Sequence, residues 1–95
     1  MKFIMFWNYD FEHLKHILKK IKDLDEKRKE NPDKYPKMIC GPYLFHGESR
    51  GMAVCETDKD EQILNLHLYF QPELNPSFVP IETVDSVLEL LNQKD

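Results

Sequence analysis

The chain has 95 residues, a net charge of −4, 41% hydrophobic and 32% charged residues. That size and mixture describe one small globular domain. The acidic balance argues against general affinity for nucleic acid or for an anionic membrane surface. The sequence lacks the roughly 18–20 consecutive apolar residues that a membrane span requires. Asn8, Tyr9 and Asp10 end the first apolar stretch too early for a signal peptide. A cytoplasmic location is expected, with no membrane or nucleic-acid partner.

Lys2–Asn8 reads as a first strand, apolar on both faces. Asp10 has the side chain of an N-cap, and Tyr9 and Leu14 have staple spacing. Phe11, Leu14, Ile17, Leu18, Ile21 and Leu24 then recur at three and four, which predicts a helix to about Lys29. Its other face is rich in lysine, and Asn31-Pro32 stops it. After a connector at 33–37, Met38–His46 reads as a second strand. Pro42 places that strand at a sheet edge or at a bulge.

The segment Gly51–Glu56 is a third strand, with apolar residues on both faces: Met52 and Val54 on one, Ala53 and Cys55 on the other. A turn at 47–50 would set His46 opposite Gly51 and Pro42 opposite Cys55. Cys40 would then lie one diagonal step away on the same face, roughly 7–8 Å off and too far for a disulfide. Both cysteines are expected to be free thiols. Thr57 or Asp58 is expected to cap a helix over 59–70, Asp58 and Glu61 having capping-box spacing, and Gln71-Pro72 ends it. Phe78–Glu82 reads as a fourth strand, again with an edge-type proline at Pro80. Val84, Val87, Leu88 and Leu91 form the stripe of a short final helix.

The order β-α-β-β-α-β plus a helix is the ferredoxin-like α+β arrangement, an antiparallel sheet of order 4-1-3-2. That order puts the two-faced strands at the centre and the proline-bearing strands at the edges. One sheet face is left for the chain's own helices. The other needs a second layer that 95 residues do not supply, so a homodimer is expected.

Three segments carry a family resemblance: the opening M-K-F-I-M-F-W, the stretch R-G-M-A-V-C-E-T-D leading into a helix, and the late strand F-V-P-I-E. Nearly the whole chain resembles a family of small bacterial and archaeal proteins known as a domain of unknown function within the dimeric α/β-barrel superfamily. The resemblance implies two sheets paired face to face into a barrel. The superfamily includes monooxygenases, muconolactone isomerase-like enzymes and haem-binding relatives, many with a cavity between sheet and helices. It implies no catalytic motif here. The first helix is longer and richer in lysine than in typical members, and 31–37 looks like an extension.

Few residues suggest chemistry. His13 and His16 stand at i and i+3, a spacing that two metal ligands can use, but without an HExxH pattern they read as a solvated helix face and no metal is expected. His67 lies in the apolar run 63–70, as either a catalytic base or a satisfied core histidine. Glu56 shares a predicted sheet face with Tyr43, Phe45, Met52 and Val54, and is either a general base or an ion-pair partner. Trp7, Tyr43 and Tyr69 are candidate walls for a small apolar or aromatic ligand between the sheet and the second helix. No cofactor motif is present. Three readings follow: a ligand-binding or assembly domain, a cofactor-free monooxygenase- or isomerase-like enzyme using His67 and Glu56, and an interaction module using the lysine-rich helix.

Overall fold

A computed structural model describes residues 1–94, the last by its backbone only. β1 is Lys2–Asn8, and a single 3-10 turn at Phe11–His13 leads into α1, Leu14–Glu30. β2 is Lys37–Leu44, β3 Arg50–Glu56, α2 Asp60–Phe70, β4 Ser77–Ile81 and α3 Val84–Lys94. The four strands form one antiparallel sheet of order β2-β3-β1-β4. The order expected from the ferredoxin-like sequence of elements, with the two-faced strands central and the proline-bearing strands at the edges, is the one adopted.

The central pair is in register from Lys2↔Glu56 to Asn8↔Arg50. Alternation then sends Met5, Trp7, Ala53 and Cys55 to one face, where they are buried. Ile17 and Leu24 of α1, with Leu66 and Phe70 of α2, close that face into the core. Each fully buried side chain of this kind stabilises the fold by about 1.5–3 kcal/mol. Gly51 lies directly opposite Trp7, and a Cβ at position 51 would overlap the indole ring.

Several local expectations are corrected. Asp10 makes no side-chain capping bond; the first turn is instead closed by the backbone, His13 N–H donating to the Asp10 carbonyl at 2.8 Å. At α2, Asp58 does not cap. Its carboxylate pairs with the N-terminal amine at 2.7 Å, while the Lys59 N–H donates to Thr57 Oγ1 at 3.0 Å. The hairpin register also differs, because β2 ends at Leu44, which pairs with Gly51. Two irregularities interrupt the ladder, between Met38 and Cys40 and between Cys40 and Tyr43. The second holds Gly41, whose φ of +93° suits glycine, and Pro42, which has no N–H to give. Cys40 therefore pairs with Val54, while Cys55 pairs with Met38 and Phe3. The two thiols are free and point to opposite faces of the sheet, Cys40 exposed and Cys55 buried.

The connector at 31–37 belongs to the core. Tyr35 and Pro36 are buried, and the Tyr35 ring meets Tyr69 edge-on at 6.0 Å. Arg28 Nε donates to the Pro36 carbonyl, and Asn65 Nδ2 to that of Lys34. Burial holds the Arg28 guanidinium below its ordinary pKa, opposed by Asp25, and Arg28 Nη2 has no partner.

Candidate functional site

Three features outside the core carry polar or apolar groups not used up by the fold. The first is the sheet face turned away from α1 and α2. Ile4, Phe6, Met52 and Val54 alternate onto it from the two central strands and are only partly buried. The edge strands add Tyr43, 54% exposed, and Val79, 45% exposed. At one end of this face, Lys2, Val54, Glu56 and Ile81 line a recess of about 450 Å³, bordered by Thr83 and Ser86 at the start of α3. Glu56 thus faces the open side, directly across from Lys2 on β1.

The second feature is a shallow apolar groove of about 440 Å³ beside α2. Asp60, Ile63, Leu64 and His67 follow one another at three, four and seven along one stripe of the helix, and Phe3 and Phe78 face them from the sheet. His67 is half-buried, and its ring lies 6.4 Å from that of Phe78. Gln71 Nε2 lies 3.2 Å from His67 Nε2 and also donates to Asn75 Oδ1 at 3.2 Å. An amide nitrogen only donates, so His67 Nε2 is the acceptor. With Nε2 engaged by Gln71, Nδ1 is the ring nitrogen left for a ligand.

The third feature is an ionic cluster between α1 and the segment after α2. Lys20 Nζ donates to Glu73 Oε2 at 2.5 Å, and His16 stands 3.4 Å from the other carboxylate oxygen. The Lys20 bond, then a bond from its own backbone, then His16 hold the Glu73 carboxyl down at about 2, below the ordinary 4.5. Tyr69 closes the cluster by donating to the Lys20 carbonyl at 2.8 Å, and Lys20 Nζ sits 5.2 Å from the centre of its ring.

The five candidate site residues do not converge. His67 lies on the helix side of the sheet and Glu56 on the open side, so within one chain they do not act on one substrate. Of the expected aromatic walls, none lines the groove with His67. Trp7 is 2% exposed in the core over Gly51, at the end of β1 away from Phe3. Tyr43 shares the open face with Met52, as the expected grouping required, whereas Phe45 lies beyond the strand under the Arg50 guanidinium. Tyr69, two residues past His67, points around α2 toward α1, because two residues turn a helix by about 200°. The walls are instead Phe3 and Phe78. The period of α2 already marked Asp60, Ile63 and Leu64 as sharing a stripe with His67, but the two phenyl rings depend on strand pairing.

Among the described residues, no group of three or more His, Cys, Asp and Glu side chains could hold a metal ion, and His16 is engaged by Glu73. No helix among them is long and apolar enough to cross a membrane. A scan of protein-family models gives no match, and searches of curated proteins and of solved structures give none either. The functional reading therefore rests on geometry.

Proposed function

We propose that this chain is a homodimeric assembly domain whose two open sheet faces pack on each other. The observation that carries the reading is the composition of that face: Ile4, Phe6, Met52 and Val54 at its centre, with no covering element among the described residues. Helices on one side and an apolar sheet on the other leave one layer missing, and stacked sheets about 10 Å apart supply it. The resemblance to the dimeric α/β-barrel superfamily points the same way. Light scattering on the full chain at micromolar concentration tests the reading. A mass twice that of the chain is expected, and Val54→Lys should give a folded monomer, because it buries an unpaired charge at the centre of the face. A wild-type chain that is monomeric and fully folded at 100 µM would sink it.

A second reading attaches to the groove at His67, which fits a small apolar or aromatic compound bearing a hydrogen-bond acceptor. Its support is the combination of two phenyl walls, Phe3 and Phe78, with the half-buried imidazole of His67, whose Nε2 is engaged by Gln71. With Glu56 on the other side of the sheet, the groove reads as a binding site, and the monooxygenase- or isomerase-like alternative retains only His67. A thermal-shift screen with aromatic carbonyl compounds tests it. His67→Ala should lower the affinity of any hit about tenfold, the value of one hydrogen bond of about 1 kcal/mol plus lost contact. A screen in which no compound raises the melting temperature removes this reading. The lysine-rich α1 gains less support as an interaction surface: Arg28 pairs with Asp25, Lys29 with Glu26 and Lys20 with Glu73.

A further inference from the structure

The helix α3 is the least explained element of the fold. Apart from Ser86, its side chains from Val84 to Gln93 are all exposed, including Val84 at 74%, Val87 at 45%, Leu88 at 50%, Leu90 at 60% and Leu91 at 55%. Val84, Val87, Leu88 and Leu91 fall at i, i+3, i+4 and i+7, which makes one continuous apolar stripe. A surface helix normally turns such a stripe inward, and here no described element buries it. The molecule is correspondingly long, 53 × 34 × 18 Å, with a radius of gyration of 15.3 Å. A compact domain of this length has a radius of gyration of about 12 Å.

We propose that α3 is an exchanged arm: each α3 lays its Val84–Val87–Leu88–Leu91 stripe on a second copy of this chain. The inference rests on the pairing of open sheet faces proposed above and adds a second, separable part to that interface. Three observations support a second copy as the occupant.

The first is stability. Isolated helices shorter than about 12–15 residues are marginal in water, so an 11-residue α3 needs a surface to pack on. The second is continuity. Thr83 and Ser86, at the root of α3, border the same recess as Val54 and Ile81 of the open face. A copy seated on that face therefore stands next to the arm.

The third is area. Four strands about 4.8 Å apart and about 24 Å long present a face of only roughly 450 Å² in projection. An 11-residue helix about 16 Å long and 10 Å wide adds about 160 Å² in projection. In a two-fold dimer each copy both gives an arm and receives one, so exchange enlarges the contact of each copy by about 320 Å² in projection. Paired sheets with the arms left in water would leave five large apolar side chains per chain exposed.

The test uses the full chain and reads two quantities. The first is the dimer dissociation constant, measured by sedimentation for the parent, for Val54→Lys and for the double variant Leu88→Glu with Leu91→Glu. The arm variant should raise the constant by about a hundredfold or more, as loss of paired anchors does at other interfaces, while circular dichroism below the transition keeps the sheet signal. The second is hydrogen exchange of the α3 amides in the unmodified chain. Protection should be present at 100 µM and lost on dilution to the monomer. An unchanged dissociation constant in the arm variant overturns the exchanged arm while leaving the sheet pairing intact. Concentration-independent protection of α3 also overturns it, because the helix would then be covered by its own chain. A parent chain that is monomeric throughout removes the pairing itself, and with it this inference.

Discussion

Gly51→Ala is expected to destabilise the protein, against the usual direction for this change in a strand. Alanine loses less backbone entropy than glycine on folding, which ordinarily favours it by about 0.5–1 kcal/mol. Position 51 has no positive φ, so backbone conformation gives no reason for glycine. The reason is steric: a Cβ there would overlap Cε2, Cζ2 and Nε1 of Trp7. Trp7 is 2% exposed and held within the core cluster, so the ring has no free space to retreat into. Overpacking of this kind costs about 1–3 kcal/mol. The difference leaves a net loss of up to about 2.5 kcal/mol, centred near 1 kcal/mol, out of a total near 5–14 kcal/mol for a chain this long. The melting temperature should fall by roughly 2–15 °C.

Trp7 is the single tryptophan, so its fluorescence reports the transition directly in urea at matched protein concentration. A second variant isolates the cause. Trp7→Phe removes the overlapping atoms and also a buried indole N–H that has no partner. In that background Gly51→Ala should be milder by about 0.5–3 kcal/mol, the usual range for residues in contact. A Gly51→Ala protein as stable as the parent, or a cycle with no coupling, would refute the packing of Trp7 on Gly51.

Two further outcomes follow from the ionisable groups. Glu73, held at about 2 chiefly by Lys20, contributes stability that is fully present above pH 4.5 and is lost as pH falls toward 2. Acid unfolding of Glu73→Gln should therefore show a flatter slope between pH 4.5 and 2 than the parent, and parallel curves would exclude the contact. Burial raises the Cys55 thiol above its ordinary pKa and removes it from solvent. Peptide mapping after alkylation at pH 8 should find Cys55 unmodified in the folded protein, with both cysteines modified after unfolding. Rapid modification of Cys55 without denaturant would mean that the helix layer does not cover it.

The sequence by itself determined the architecture, for local reasons. Strands β1 and β3 are apolar at both parities, which only a central strand with two covered faces tolerates. Pro42 and Pro80 lack an N–H for a second ladder, which only an edge accepts. Together these say which strands are central and which are edges, and the ferredoxin-like order of elements along the chain then gives β2-β3-β1-β4, the order adopted. The stripe of α3 was equally plain, since its period depends on spacing alone.

Tertiary structure decided whatever depends on which residues meet. The β2–β3 register moved by two residues at the hairpin end, where Leu44 rather than His46 pairs with Gly51, and by a third at the irregularity between Tyr43 and Cys40; that odd displacement, which pairs Cys40 with Val54, put Cys40 and Cys55 on opposite faces. Tyr35 and Pro36 read as a linker, yet contacts from Arg28, Asn65 and Tyr69 make them part of the core. The candidate site divided for the same reason. Glu56 and His67 are each placed correctly on their own elements, but the sheet stands between them. A periodic pattern shows which residues share a face of one element. It contains no information on which faces of different elements are brought together, because that follows from pairing register and helix packing across distant parts of the chain.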